Sequence, residues 1–215
     1  MQDVLIIDKP SGMTSHTVVQ QVKRITGAAK AGHAGTLDPM ATGVLIVCLN
    51  KATKRQNDFM TLDKEYRATL RLGIQTDTAD LEGKTVQEQA VPPLSESQVL
   101  AVFQGLTGAQ EQLPPMYSAI KFQGRCLYRY AREGKEVARI PRSIVVHQLL
   151  LERLQAGEID FFVNCSKGTY VRTLGEEIAA RLGTLGHLSK LQRVACGPYR
   201  VDQAHSLEHL KGLYK

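Results

Sequence analysis

The chain has 215 residues, of which 43% are hydrophobic, so it is long enough to bury a sizeable core. We expect a single domain over residues 1–215. Lysine and arginine number 27 against 21 acidic residues, and the net charge of +6 suits a polyanionic partner without being specific for one. No apolar run approaches the length of a membrane span and the N-terminus lacks a secretion-signal pattern, so we expect a cytoplasmic protein without membrane contact. The four cysteines stand far apart without metal-ligand spacing, which indicates neither a metal site nor a disulfide framework.

The N-terminal segment predicts a short strand over residues 4–7, a turn, and a helix that ends at Gly27. Thr14 or Ser15 can cap this helix, and apolar residues recur after them at helical spacing. Lys9 lies in the turn before the helix, where it is a candidate for contacting a polyanion. A solvated turn residue without such a role is the alternative.

The stretch 32–47, GHAGTLDPMATGVLIV, predicts a shaped loop followed by a buried strand. Pro39 pushes Asp38 out of the helical region and toward an extended conformation. The apolar run at 43–49 is typical of a strand buried on both faces, which would anchor the loop. Asp38 is therefore a candidate reactive carboxylate on a stiff loop. The alternative is a turn residue that accepts local backbone hydrogen bonds.

The middle of the chain predicts a short basic helix at 52–60, a strand at 64–73, a polar loop at 75–84 and a helix at 95–105. Alternation in the strand puts Tyr66, Ala68 and Leu70 on one face and Arg67, Thr69 and Arg71 on the other. Ordinary core packing is the alternative to any functional role of Tyr66.

A basic segment follows a strand-like stretch, LPPMYSAIKFQG, at 113–124. Seven basic residues against two acidic ones give residues 121–142 a local charge of 7 − 2 = +5, and aromatic residues are interleaved. This mixture suits a groove that follows a nucleic-acid backbone, although a solvated helix face would also carry charges. The candidate RNA-binding residues are Lys121, Arg125, Arg129 and Arg132, together with Lys9.

The last third of the chain predicts a β-hairpin, a helix and a mixed tail. Strands at 144–154 and 158–165 flank a short loop with a glycine, and a helix runs from about 169 to 182. Arg172 lies in the first turn of that helix, where the helix dipole disfavours a cation, so we expect it to have an anionic partner. The tail mixes a helix end with a strand, and a short helix begins at Ser206.

Six stretches together resemble the TruB family of tRNA pseudouridine synthases, and the resemblance covers nearly the whole chain. They read DKPSGMTS, GHAGTLDPMATGVL, KEYRATLRLG, PPMYSAIK, GTYVRTLGEEI and LQR. The resemblance implies that the catalytic residues are Asp38, Tyr66 and Arg172, with Arg172 paired to Asp38. It implies that the substrate base is contacted by His33, Tyr66, Tyr170 and Leu191. Many family members also carry a C-terminal PUA domain, which we do not expect in a chain that stops at Lys215.

The activity implied by the resemblance is isomerisation of uridine 55 to pseudouridine in the T loop of tRNA, without metal or cofactor. The implied fold is mixed α/β (α+β), the pseudouridine-synthase catalytic fold with a large curved mixed sheet flanked by helices. We expect a monomer that binds the T-stem-loop of tRNA. A non-catalytic tRNA-binding or tRNA-folding protein is the main alternative, and it would tolerate loss of Asp38. A carboxylate-dependent glycoside hydrolase is a weaker one, because the sequence shows no second acid in a partner motif.

Overall fold

The computed structural model describes residues 3–214, which fall into two compact units. The first unit holds the described residues up to Arg67 and from Leu191 onward, and the second is Ala68–Lys190. The single domain expected over the whole chain stays a prediction. None of the helices within residues 3–214 is long and apolar enough to cross a membrane.

The strands are β1 (Val4–Lys9), β2 (Ala31–Ala34), β3 (Thr42–Leu49), β4 (Lys64–Leu72), β5 (Ile74–Thr76), β6 (Thr85–Glu88), β7 (Gly108–Gln112), β8 (Lys121–Phe122), β9 (Arg125–Cys126), β10 (Arg142–Gln155), β11 (Glu158–Cys165), β12 (Gly186–Cys196) and β13 (Tyr199–Arg200). The helices are α1 (Ser15–Thr26), α2 (Gln56–Met60), α3 (Glu96–Gly105), α4 (Leu127–Arg132), α5 (Val171–Arg181) and α6 (Leu207–Leu213), with 3-10 turns at Asn50–Arg55 and Val201–Gln203. The mixed α/β class with a large mixed sheet and helices is confirmed.

Strand β3 is the centre of the first unit. It pairs antiparallel with β1 along its length and with β2 near its end, and parallel with β12 at its start. Every residue from Gly43 to Leu49 is buried, which confirms the predicted strand with two covered faces. Leu45, Val47 and Leu49 pack with α1 and α6, whereas the alternate residues pack with Phe59 and Cys196 in a second cluster.

Helix α1 begins and ends where its sequence signals predict. The Thr14 hydroxyl accepts a hydrogen bond from the Thr17 amide at 3.0 Å, and Gly27 ends the helix in the left-handed region at φ 65°. Val18 and Val22 are fully buried. The helix therefore presents its apolar face to β1 and β3.

The second unit is built on the order β12-β4-β11-β10-β7, in which β4 and β12 contribute residues 68–72 and 186–190. The predicted hairpin of β10 and β11 is confirmed, with Gly157 at φ 80° in its turn. Helix α3 begins with a capping box, in which the Ser95 hydroxyl accepts from the Gln98 amide and the Gln98 side chain accepts from the Ser95 amide.

Four predictions of local structure are wrong in detail. The stretch 113–124 is mostly irregular and contains only the two-residue strand β8, and the unpredicted helix α4 follows it. The basic helix at 52–60 is a 3-10 turn followed by the short helix α2. The polar loop at 75–84 lies within a small hairpin of β5 and β6. The mixed tail begins as one long strand, β12, because its backbone pairs with neighbouring strands.

The face assignment in β4 needs one correction. Tyr66, Ala68 and Leu70 are buried and Arg67 and Arg71 are exposed, as alternation predicts. Thr69 is buried as well, and its hydroxyl donates to Asp160 Oδ1 at 2.7 Å. A satisfied hydroxyl can be buried at small cost, so strand alternation alone does not decide its position.

Candidate active site

The loop that carries Asp38 is held by its neighbours in the chain and by α1. The Ala41 amide donates to the Asp38 carbonyl at 3.1 Å, which closes a tight turn around Pro39. The Ser15 hydroxyl accepts from the Leu37 amide at 2.8 Å and donates to the Leu37 carbonyl at 3.0 Å. Asp38 itself is half-buried. Its carboxylate is therefore carried by a backbone that is fixed on both sides.

Lys9 supports the same loop from the N-terminal turn. Its side chain is 0% exposed, and Nζ donates to the carbonyls of Pro10 at 2.8 Å, Met13 at 2.6 Å and Pro39 at 3.0 Å. A buried ammonium group needs such acceptors, because it has lost its water. The assignment of Lys9 as an RNA-contacting residue is thus wrong for this structure, since its charge does not reach the surface.

Arg193 is a supporting residue that sequence reasoning missed. It is 1% exposed, and its guanidinium donates to the Val44 carbonyl at 2.7 Å and to the Gly35 carbonyl at 3.1 Å. Gly43 has φ 98°, and a Cβ there would lie 2.2 Å from the Arg193 carbonyl oxygen. Only glycine fits this close approach of two backbones. A cation next to the apolar VAC stretch was the signal that could have revealed Arg193.

His33 lies on β2, immediately before the Asp38 loop. Burial lowers the pKa of its imidazole from 6.5, and the nearby charges of Arg193 and His16 lower it further. Its Nδ1 is buried and has no hydrogen-bond partner among the described residues. The imidazole is therefore neutral at pH 7, which leaves an uncharged flat ring for contact with a base.

Tyr66 and Leu191 lie in the first unit, on β4 and β12 respectively, and both are buried. A buried position fits a side chain that lines the substrate site, and it fits ordinary core packing equally well. Their predicted contacts with the substrate base stay predictions.

Arg172 occupies the first turn of α5 in the second unit and is 4% exposed. Its guanidinium donates to the Thr78 carbonyl at 2.6 Å and to the Tyr117 carbonyl at 2.9 Å. Nε lies 3.6 Å from Asp80 Oδ2, so Asp80 is an anionic partner of Arg172 within its own unit. The pairing of Arg172 with Asp38 stays a prediction.

Asp80 is a second residue that sequence reasoning missed, because the stretch around it looks like a solvated loop. It is 3% exposed, and its Oδ1 accepts from the Thr78 hydroxyl at 2.6 Å and from the Glu82 amide at 3.1 Å. An aspartate that bonds a backbone amide two residues on is a common turn former, and nothing in that pattern predicts burial. Two donors thus satisfy Oδ1, while Oδ2 faces Arg172, and such extra hydrogen bonds help a buried ion pair to offset its desolvation.

Tyr170 is the N-cap residue of α5 and is half-buried. Its backbone is bonded to the side-chain amide of Gln112: Nε2 donates to the Tyr170 carbonyl at 3.1 Å, and the Tyr170 amide donates to Oε1 at 2.7 Å. The contact of Tyr170 with a substrate base stays a prediction.

The predicted RNA-binding residues of the second unit differ in their availability. Lys121, Arg129 and Arg132 are all exposed. Arg125 forms an ion pair with Glu133 and lies 4.8 Å over the ring of Tyr130. Arg125 and then Lys135 hold the pKa of the exposed Glu133 carboxyl at about 2, below its usual 4.5. Arg125 is thus held in an ion pair within its own segment, and Arg132 lies 5.4 Å over the ring of Tyr128. The exposed side chains of Lys121, Arg129 and Arg132 can still meet a partner.

A further basic surface lies in the first unit, beside the strand that carries His33. Its exposed members are Lys30, Lys51, Lys54 and Arg55, which we call the first-unit basic surface. The Asn50 amide donates to the Lys30 carbonyl at 2.9 Å and so joins the two stretches that carry them. Gln56 follows directly and donates to the His33 carbonyl at 3.0 Å. The basic character of 52–60 was predicted, but its place beside His33 was not.

The structure therefore groups the predicted residues within each unit. His33, Asp38, Tyr66 and Leu191 belong to the first unit, and Tyr170 and Arg172 belong to the second. Within residues 3–214 there is no group of three or more side chains that could hold a metal ion.

Comparison with known proteins gives a family and several long relatives. A family model described as TruB family pseudouridylate synthase (N terminal domain) matches residues 23–171. The chain is 47% identical to the tRNA pseudouridine synthase B of Psychrobacter cryohalolentis, over 98% of this chain and 60% of the relative. It is also 47% identical to the proteins of that name from Chromohalobacter salexigens and Salmonella typhi, over 98% of this chain and 68% and 67% of those relatives. The chain thus spans about two thirds of the length of these curated relatives.

Solved structures agree with this relationship. A crystal structure of a Cbf5-Nop10-Gar1 complex contains a chain with a TM-score of 0.78 and 31% identity, over 98% of this chain and 54% of that one. A structure of an H/ACA RNP bound to a substrate RNA containing 2'-deoxyuridine contains a chain with a TM-score of 0.73 and 29% identity, over 98% of this chain and 53% of that one. The resemblance found in the sequence motifs is confirmed: the chain belongs to the TruB family of pseudouridylate synthases.

Proposed function

We propose that this protein isomerises uridine 55 to pseudouridine in the T loop of tRNA, with Asp38 as the reacting carboxylate. The observation that carries the proposal is the support of the Asp38 loop by buried Lys9 and Arg193, in a chain of the pseudouridylate synthase family. Holding a reactive group in one geometry is a large part of what an active site contributes. The names of the curated relatives support tRNA as the substrate.

The reaction breaks the bond between N1 of uracil and C1′ of ribose and forms one between C5 and C1′. C5 loses its hydrogen as a proton and N1 gains one, so there is no net redox change and no need of a cofactor. Asp38 acts at ribose, either by attacking C1′ or by removing the 2′-hydrogen to give a glycal. Both routes need an ionised carboxylate at the same place.

The base must leave its stack before the reaction, at a cost of about a few kcal/mol. The neutral ring of His33 offers a flat contact, and the buried side chains of Tyr66 and Leu191 offer apolar surfaces for the detached uracil. Tyr170 is proposed to touch the same base. Arg172 is proposed to act on the Asp38 carboxylate, where a positive charge favours the ionised form.

Exposed basic residues supply the electrostatic attraction for tRNA. We propose that Lys121, Arg129 and Arg132 of the second unit and the first-unit basic surface each contact phosphates. Such contacts do not depend on Asp38, and they also favour the second candidate function, a non-catalytic tRNA-binding or tRNA-folding protein.

We further propose that the protein acts in the cytoplasm, where tRNA is modified, and that it acts as a monomer without a metal. Size-exclusion chromatography with light scattering tests the monomer, alone and with tRNA. A stable dimer would contradict it.

The test of the function is tritium release from tRNA labelled at C5 of uracil, with the wild type compared to Asp38→Asn. An isolated T-stem-loop is the second substrate. Release by the wild type alone is expected, because the variant lacks the reacting carboxylate. Equal release by both would contradict the role of Asp38. No release by folded wild type that binds tRNA tightly would favour the tRNA-binding function instead.

A further inference from the structure

Gln112 makes a two-point contact with the backbone of a single residue. It is the last residue of β7 and is 8% exposed. Its Nε2 donates to the Tyr170 carbonyl at 3.1 Å, and its Oε1 accepts from the Tyr170 amide at 2.7 Å. A pair of bonds in opposite directions fixes the orientation of the Tyr170 backbone as well as its position.

This contact lies where α5 begins. Tyr170 is the N-cap residue, and its side chain makes no capping hydrogen bond. Its carbonyl also accepts from the Leu174 amide at 3.0 Å, which is the first bond of the helix. Gln112 therefore fixes the residue from which α5 starts, and Arg172 follows within the first turn.

The stretch after Gln112 makes a second contact with the same turn. The Tyr117 carbonyl accepts from Arg172 Nη2 at 2.9 Å. Pro114 and Pro115 lie between the two contacts, and each fixes its own φ near −65°. The short segment from Gln112 to Tyr117 thus holds Tyr170 by its backbone and Arg172 by its side chain.

We propose that Gln112 is a positioning residue for the isomerisation, which sets the directions in which the Tyr170 ring and the Arg172 guanidinium leave α5. The inference rests on the proposed function, in which these two side chains act on the base and on the reacting carboxylate. Gln112 contacts neither substrate nor reacting atoms in this scheme. A displacement of about 1 Å in such a group can lower a rate by about 100-fold.

A purely structural role makes a different prediction. Loss of two partly buried hydrogen bonds would then lower the melting temperature, while the folded fraction would keep its rate constant and the environment of Tyr170. The rate constant of the folded enzyme and the environment of Tyr170 therefore distinguish the two roles.

The kinetic test compares Gln112→Met with Gln110→Met. Methionine keeps the length of glutamine but removes both bonds to Tyr170. Gln110 lies in the same strand, and its Nε2 donates at 2.8 Å to the Leu106 carbonyl, so its variant is the matched control.

In single turnovers with labelled tRNA, we expect Gln112→Met to lower the rate constant about 10- to 100-fold with unchanged tRNA affinity. The rate constant of Gln112→Glu should lie between those of the wild type and Gln112→Met, because the glutamate carboxylate still accepts from the Tyr170 amide. Equal rate losses in the two methionine variants would overturn the proposal.

A spectroscopic test does not depend on activity. The seven tyrosines are replaced by 3-fluorotyrosine, and the Tyr170 fluorine resonance is assigned with Tyr170→Phe. We expect this resonance to move in Gln112→Met and to stay in Gln110→Met. An unmoved resonance would overturn the positioning role. If wild type releases no tritium, the proposed function fails. The fluorine spectrum alone then decides whether Gln112 fixes the orientation of the Tyr170 ring.

Discussion

Two regions of the molecule use buried cations in different ways. In the first unit, Lys9 and Arg193 donate to main-chain carbonyls on either side of Asp38, so the cations fix the path of a loop. In the second unit, Arg172 is itself the residue that is fixed, by two carbonyls and by the carboxylate of Asp80. The first region shapes a backbone to present a carboxylate, and the second orients a side chain. Loss of a supporting group should therefore have different effects in the two regions.

The largest effect on stability is expected at Asp80. Asp80→Ala leaves the buried guanidinium of Arg172 without its carboxylate, and removal of one partner of a buried ion pair costs about 3–5 kcal/mol. Urea denaturation measures the change in the free energy of unfolding. Asp80→Asn also removes the charge but keeps the oxygen that accepts from the Thr78 hydroxyl. A nearly equal loss in both variants would therefore support a charge effect, and a loss confined to Asp80→Ala would contradict it.

A smaller loss of stability is expected at Lys9. Lys9→Met removes the donor to three carbonyls, and unsatisfied buried polar groups cost about 1–3 kcal/mol. The isomerisation rate should fall because the Asp38 loop loses a support, whereas tRNA affinity should not change. Lys211→Met, in the exposed face of α6, is the control for loss of a lysine. Weaker tRNA binding by Lys9→Met would contradict its placement in the interior.

An effect on affinity without loss of stability is expected on the first-unit basic surface. Lys54→Glu should weaken tRNA binding and reduce the salt slope, by about 0.7–0.9 for each phosphate that the variant no longer neutralises. Fluorescence titration at several salt concentrations measures the tRNA affinity and its salt slope, and Lys211→Glu is the charge-matched control. The same slope in both variants would remove Lys54 from the interface.

The smallest effect is expected from the titration of His33. Its folded pKa lies below 6.5, so the neutral form is the one that the fold favours. The stabilising contribution is therefore fully present above pH 6.5 and is lost as the pH falls through the folded pKa. Denaturation at a series of pH values should show a smaller acid loss in His33→Phe than in wild type. Identical pH dependence in the two proteins would show that His33 does not titrate in this range.

Much of the local structure could be predicted because its signals are local. The cap at Thr14, the stop at Gly27 and the continuous apolar run of β3 each act within a few residues. The irregular stretch before β8 and the length of β12 could not be predicted, because strand pairing and helix contacts decide them. At such places, contacts with distant parts of the chain override the local preference of residues for helix or strand.

The candidate site divides in the same way. Asp38, His33 and Arg172 could be proposed from motifs, but their supports could not, since Arg193 lies far along the chain from the loop and Asp80 lies in a polar stretch. Lys9 shows the opposite error, because it was predicted to contact RNA and is buried instead. A lysine in a Pro-Ser-Gly turn has the composition of a surface residue, and only the carbonyls gathered around it explain its burial.

The close approach of Gly43 and Arg193 also has a consequence for synthesis of the chain. The two residues are 193 − 43 = 150 positions apart, and both are needed to complete the support of the Asp38 loop. At roughly 5–20 residues per second, a ribosome needs roughly 8–30 seconds to add that length. The Asp38 loop is thus made well before its support can be completed, and a chain interrupted before Arg193 would carry an Asp38 without its full support.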